Sequence, residues 1–250
     1  MLKLDKKVTF NLTYKPFGER SILIEWPAVI DETVLQDIIR FKDAIHDFNV
    51  KSIVEVKNTY NSLLINYDLV CRNFENEVNL LKKIYKSSDL EHDIVSKLWT
   101  IPVCYDPVFG IDLDAISIEK KLSKEAIIKH HSEAVYTVYF IGFLPGFLYL
   151  GGLDKSLHIP RKSTPRLQIE KGAVAIGGQQ TGVYPNVSPG GWNIIGNTPV
   201  AFFNPKLELP CFAKAGDKIV FKPVSLKEHN KIKMLVDAGV YQLENELVND

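Results

Sequence analysis

The chain has 250 residues, 46% of them apolar, with thirty basic and thirty acidic side chains that cancel to zero net charge. That is enough apolar material for one or two cored domains, and the balance argues against a nucleic-acid partner or an anionic membrane surface. The opening stretch MLKLDKKVTFNLTYK has no apolar signal-peptide core, and no run of about 18 apolar residues occurs, so a cytoplasmic protein is expected.

Val8 to Tyr14 and Ser21 to Trp26 read as strands joined around Pro16-Phe17-Gly18-Glu19. Asp31 is placed to cap a helix in which Val34, Leu35, Ile38, Ile39, Phe41, Ala44 and Ile45 recur at helical spacing. Val50 to Lys57 and Ser62 to Tyr67 form a candidate hairpin. A second helix follows, with Phe74, Val78, Leu81, Ile84 and Tyr85 on one face, and then a polar connection from Lys86 to Asp93. With a closing strand near Trp99 to Cys104, this order matches a ferredoxin-like split βαβ over residues 1–98, with the leading strand added at one side.

From residue 99 to 250 the texture changes. Pro102 to Asp114 reads as an irregular bridge, and Ser123 as the cap of a short helix that runs to His131 with Ile127 and Ile128 inward. His130 and His131 end that helix, where the dipole favours a protonated imidazole. Val135 to Ile141, Ala173 to Ile176, Trp192 to Ile195, Val200 to Phe203 and Lys218 to Pro223 are short apolar runs between turn residues, which predicts a small closed β-barrel. Ser225 and Glu228 match a capping box for a C-terminal helix with Ile232, Leu235 and Val236 on one face. Cys71, Cys104 and Cys211 are odd in number and lack metal-ligand spacing, so they read as reduced, partly buried thiols.

The segment from Gly142 to Pro199 holds eleven of the fifteen glycines, mixed with aromatics, prolines and two arginines. Such a mixture suits a rigid concave surface walled by loops. Gly177 to Gly182 lacks the Lys-Ser/Thr of a phosphate loop and precedes no helix pattern, so it reads as a turn whose backbone N–H groups face a cleft. Arg161 and Arg166, each behind a proline, are either forks for a carboxylate or phosphate or members of salt bridges. His158 is either a satisfied core histidine or a site residue. Ser188 and the backbone of Gly190 and Gly191 can donate to a carbonyl or carboxylate oxygen, with Trp192 beside them. No metal-ligand spacing, nucleophile elbow or catalytic triad can be assigned, so catalytic residues stay unknown.

Six segments then stand in one order: IPVCYDPVFGIDL, GFLPGFLYLGGL, PRKSTPR, GGQQTGVYP, SPGGW and IIGNTP. Together they resemble the KipI/PxpB family, also called allophanate hydrolase subunit 1, over nearly the whole chain. The resemblance implies an α+β ferredoxin-like N-terminal domain and a mainly-β, cyclophilin-like barrel C-terminal domain. It also implies a PxpC/KipA-type partner and, with a PxpA-type subunit, an ATP-dependent 5-oxoprolinase that opens the lactam of 5-oxoproline to L-glutamate. Two other roles are compatible with the resemblance: a regulator that inhibits a sensor histidine kinase, or a component of a urea or allophanate degradation system. Asn197 stands where the family usually carries an arginine.

Lactam hydrolysis coupled to ATP needs a nucleotide site, a carboxylate anchor and oxyanion donors. The expected contribution of this chain is one wall of a shared site, inactive alone. Phe147, Tyr149, Tyr184 and Trp192 would form apolar walls, Arg161 or Arg166 would hold an anionic group, and Gln180, Thr181, Ser188, Gly190 and Gly191 would donate hydrogen bonds. The ATP site is not assigned to this chain.

Overall fold

Alternating burial along two neighbouring strands organises the first half of the chain. The computed structural model describes residues 10–70, 73–87 and 95–249, and the chain divides into two compact units, residues 1–94 and 95–250. In the first unit, β1 (Thr13–Pro16), β2 (Ser21–Glu25), α1 (Glu32–Phe48), β3 (Ile53–Asn58), β4 (Ser62–Tyr67) and α2 (Phe74–Ser87) follow in turn. The sheet is antiparallel, in the order β1-β2-β4-β3. Ile22 and Ile24 of β2 and Leu63 and Ile65 of β4 point to one face. Val34, Ile38, Phe41 and Ile45 of α1 and Val78, Leu81 and Ile84 of α2 complete the same core.

Asp31 caps α1 as its sequence context predicts, accepting from the N–H groups of Thr33 and Val34. A buried carboxylate is held inside this unit: Asp37 Oδ2 accepts from Trp26 Nε1 and from the Tyr85 hydroxyl, each at 2.7 Å. The first strand begins later than expected, at Thr13; residues before 10, Cys71 and most of the polar connection lie outside the described residues.

The expected closing strand goes elsewhere. β5 (Val95–Val103) pairs in the sheet of the second unit, parallel to β13 (Lys218–Pro223), and not beside β2. The physical reason is visible at both ends. β1 already occupies the free edge of β2, and Trp99, Ile101 and Val103 are buried in the second core.

After β5 come α3 (Leu113–Lys120), α4 (Lys124–Glu133), β6 (Tyr136–Ile141), β7 (Leu148–Gly151), β8 (Arg166–Ile169), β9 (Ala173–Gly177), β10 (Gln180–Val183), β11 (Ser188–Gly190) and β12 (Asn193–Asn197); α5 (Leu226–Asp237) and β14 (Asn245–Asn249) follow β13. The large sheet runs β12-β9-β10-β7-β6-β13-β5-β14, and β8 and β11 form a separate ribbon. Cys104 and Asn197 exchange backbone hydrogen bonds of 2.8 and 2.9 Å, which joins β12 to the chain just beyond β5. Val138, Leu150, Val174, Ile176, Ile195, Ile219 and Phe221 fill the space within, with Ile116 of α3 and Ile127 of α4.

Three expectations change here, while the turn expected at Gly177 to Gly182 stands. Pro102 and Val103 belong to β5, as the strand expected near Trp99 to Cys104 has it, but Leu113 opens a helix within the segment expected to be irregular. Gly177 to Gly182 is a hairpin between β9 and β10, with Gln180 opposite Gly177 and the positive φ of 65° carried by Gly178. Val200 to Phe203 is no strand; Val200 and Phe202 are buried but lie between Pro199 and Pro205, which cannot donate to a ladder. In α5 the buried residue is His229, while Leu235 is exposed. Among the described residues, no helix is long and apolar enough to cross a membrane.

Candidate functional site

Glycines make room for aromatic rings on one side of the second unit. A Cβ on Gly177 would lie 2.7–2.9 Å from the Trp192 ring, and one on Gly190 would lie 2.3 Å from the Tyr184 hydroxyl. Gly182 lies close under Phe147 and Trp192 in the same way. The space so made holds Phe147, Tyr149, Tyr184 and Trp192. Phe147 meets Tyr184 and Trp192 edge-on, with centroids 5.5 and 5.7 Å away, and Tyr149 stacks on Phe140 at 4.2 Å.

These rings floor a cleft of about 260 Å³, lined by Phe143, Phe147, Tyr149, Arg161, Pro165, Tyr184, Pro189, Gly190, Gly191 and Trp192. Among the described residues, Arg161 is its one charged lining residue. The guanidinium lies over the Trp192 ring, 5.5 Å from the centroid, and makes no ion pair among the described residues. Burial pushes the Tyr149 and Tyr184 phenols above their ordinary range, against the opposing pull of the Arg161 charge on both and of the Trp192 backbone on Tyr184. Both phenols are therefore neutral donors at pH 7.

Behind the cleft a buried carboxylate ties its wall together. Asp112 Oδ1 accepts from Arg166 Nη2 at 2.7 Å and from Lys162 Nζ at 2.8 Å, and Oδ2 accepts from the Ile194 N–H at 2.7 Å. The Lys162 N–H donates to Gly191 O, and Asn193 Nδ2 donates to Pro160 O. The loop that carries Arg161 and Pro165 is thus stitched to the start of β12. Burial raises the Asp112 pKa, but the bonds from Arg166, Lys162 and Ile194 outweigh it and hold the carboxyl below its ordinary value.

Seven of the residues singled out in the sequence therefore meet at one cleft: Phe147, Tyr149, Arg161, Tyr184, Gly190, Gly191 and Trp192. Four lie outside its lining. Arg166 turns to Asp112, and its Nη1 is buried without a partner among the described residues. Thr181 is buried on β10 and bonds His131. Ser188 is buried, its Oγ likewise without a described partner. Gln180 is half-buried at the head of β10. Phe143, Asp112 and Lys162 were not expected; all three sit within the quoted motifs GFLPGF, IPVCYDPVFGIDL and PRKSTPR, but only the folded chain gives them their tasks.

His131 and His158 are structural in this geometry. His131 is fully buried, and burial pushes its pKa down to about 3, so the expected protonation by the helix dipole does not occur. His158 Nε2 lies 3.1 Å from Leu153 O. Asn197 Nδ2 donates to Lys171 O and its Oδ1 accepts from His229 Nε2, so this side chain braces β12 against α5. Among the described residues, no group of three or more His, Cys, Asp or Glu is placed to hold a metal ion. Among the described residues, the cleft offers one cation, two phenols and apolar walls.

A family model described as carboxyltransferase domain, subdomain C and D, matches residues 12–213. The chain superimposes on the crystal structure of the Kluyveromyces lactis urea carboxylase with a TM-score of 0.82 at 20% identity, over 99% of this chain and 25% of that one, which is a likeness of fold. It is 32% identical to the 5-oxoprolinase B subunit of Bacillus subtilis (strain 168) across 90% of this chain and 98% of that protein. Against the corresponding 5-oxoprolinase chain of Haemophilus influenzae it is 41% identical, across 68% of this chain and 79% of that one. The fold and the match define a carboxyltransferase-type domain. Within that class, the chain belongs to the family of the 5-oxoprolinase B subunits.

Proposed function

We propose that this chain is the B-type component of an ATP-dependent 5-oxoprolinase complex, a hydrolase that opens 5-oxoproline to L-glutamate with PxpA-type and PxpC-type subunits. The observation that carries the reading is the near full-length likeness to a 5-oxoprolinase B subunit. The aromatic cleft with Arg161 at its rim supports it from the side of chemistry. 5-Oxoproline is a five-membered ring with one carboxylate: Arg161 would take the carboxylate, Trp192, Phe147 and Tyr149 the ring, and the Tyr184 hydroxyl with the Gly190-Gly191 backbone the lactam oxygen.

The glycine-rich neighbour of the cleft is a β9–β10 hairpin rather than a phosphate loop opening a helix. ATP chemistry then belongs to the partner subunits, and this chain is inactive by itself. Arg166 works behind the site through Asp112. The first unit is read as ferredoxin-like, with β1 in place of the usual closing strand, and the second as a cyclophilin-like barrel. A cytoplasmic setting suits Cys104 and Cys211, both free thiols.

The test is co-expression with PxpA-type and PxpC-type chains, followed by measurement of glutamate formed from 5-oxoproline with and without ATP. ATP-dependent turnover by the complex and none by the single chain is the expected result. Turnover by the isolated chain would refute the shared site, and none by the complex would refute the reading.

A further inference from the structure

Three non-glycine residues have a positive φ among the described residues. Asn49 and Lys121 are helix C-caps, where the left-handed conformation satisfies free carbonyls. Phe143, at φ 64°, ends no helix. It stands in the turn between β6 and β7, and a bulky side chain in this region is a genuine outlier.

The turn around it is tightly determined. Gly142 N–H donates to Phe147 O, Leu144 N–H to Gly142 O and Phe147 N–H to Leu144 O. Gly146, at φ 83°, is pressed so close to Phe202 and Phe203 that a Cβ there would lie 2.7 Å from the Phe203 Cβ. The strain at Phe143 is not compensated by burial: the side chain is 62% exposed, and its ring meets Phe147 edge-on at 5.6 Å. It lines the same cleft as Arg161 and Trp192.

The geometry points to Phe143 as a specificity-determining contact of the cleft, held in a left-handed conformation so that its ring covers the apolar edge of the cyclic substrate while Arg161 holds the carboxylate. This rests on the reading that the cleft receives 5-oxoproline. A residue kept for packing would favour a relaxed backbone and a buried ring; Phe143 has neither. Replacing it should therefore move stability and substrate affinity in different ways.

The test uses the reconstituted complex with Phe143→Gly and Phe143→Tyr. Glycine accepts the positive φ without strain. In Phe143→Gly the KM for 5-oxoproline should rise at least about tenfold with kcat within about threefold, while the melting temperature of the chain stays equal to the parent or above it. Phe143→Tyr should keep KM within about threefold. If the parent complex turns over 5-oxoproline and Phe143→Gly leaves KM unchanged, the Phe143 proposal falls alone. A weakened assembly with unchanged KM at saturating partner would make Phe143 an interface residue and overturn it too. A clear drop in melting temperature would mark it as a packing residue and do the same. No turnover by the parent complex would overturn the underlying reading, and this proposal with it.

Discussion

His131 Nε2 lies 2.8 Å from Thr181 Oγ1, and that single pair sets the proton positions of a buried chain. Thr181 donates its own proton to Ala175 O, so it must accept from Nε2–H. Nδ1 is then the acceptor, and the Tyr105 hydroxyl, 2.8 Å away, donates to it. The imidazole also stacks on Phe221. A glycine-rich motif in the sequence, GGQQTGVYP, thus pins α4 to the large sheet through one threonine.

Because the folded His131 titrates at about 3 and an ordinary histidine at 6.5, the unfolded chain takes up a proton between these values that the folded chain refuses. Stability should be complete above about pH 6.5 and fall as pH drops through that window, by about 1.4 kcal/mol for each unit of full separation. His131→Gln should lose about 2–4 kcal/mol at pH 7.5 and show a flatter dependence between pH 6.5 and 5. Urea unfolding across this range checks both; equal slopes in parent and variant would contradict the assignment.

Asp112 gives a different signature. Asp112→Ala strands two cations and the Ile194 N–H, and should cost about 2–3 kcal/mol, reduced from a fully buried pair because Lys162 and Arg166 remain partly exposed. Its folded pKa is depressed, so its contribution is present above the ordinary carboxylate value and disappears only as pH falls through the lower folded value. Between pH 5 and 8 the loss should be constant, which separates it from His131 in the same urea experiment.

The glycines should divide by what a methyl would meet. Gly190→Ala and Gly177→Ala place a Cβ against Tyr184 and Trp192 at under 3 Å, and should each cost about 1–3 kcal/mol and change the Trp192 emission. At Gly191 the nearest atoms are 3.5 Å or more away. Gly191→Ala should fold within about 0.5 kcal/mol of the parent, and any effect on turnover then reports on the cleft.

Arg161 is the anchor in the proposed reaction. Arg161→Ala should lower kcat/KM for 5-oxoproline about tenfold or more in the assembled complex, about 1.4 kcal/mol in the barrier, with the melting temperature little changed because the group has no described ion pair to lose. Arg161→Lys should recover only part, since an ammonium lacks the planar fork. Arg166→Ala, by contrast, should lower stability through Asp112.

Local rules carried much of the molecule. The 3.6-residue spacing of Val34, Leu35, Ile38, Phe41 and Ile45 and the capping carboxylate of Asp31 determine α1 without outside help, because each acts within a few residues. The alternation in Ser62–Tyr67 does the same for β4. The order of the six motifs was enough to identify the family, and their aromatics and Arg161 do meet at one cleft.

What lies beyond the sequence are choices between partners that are equivalent locally. Trp99 to Cys104 reads as a strand in either half; only the occupied edge of β2 and the parallel place beside β13 send it to the second sheet. Arg161 and Arg166 both follow a proline, yet one finds Asp112, 54 residues away, and the other finds no counter-ion among the described residues and faces the cleft. A carboxylate buried at long range commands the nearest guanidinium, because leaving it unpaired inside the protein costs far more than leaving an arginine in water. Glycine permits both a turn and a close approach; in the folded chain Gly177, Gly182 and Gly190 are in strands, small because rings from elsewhere must fit against them. The sequence alone determined locally signalled elements such as α1 and β4 and the chemistry available, but not the helix at Leu113 or the irregular path of Val200 to Phe203. Which side chains share the cleft depended on long-range packing, where each contact exists only once the strands of the second unit have paired.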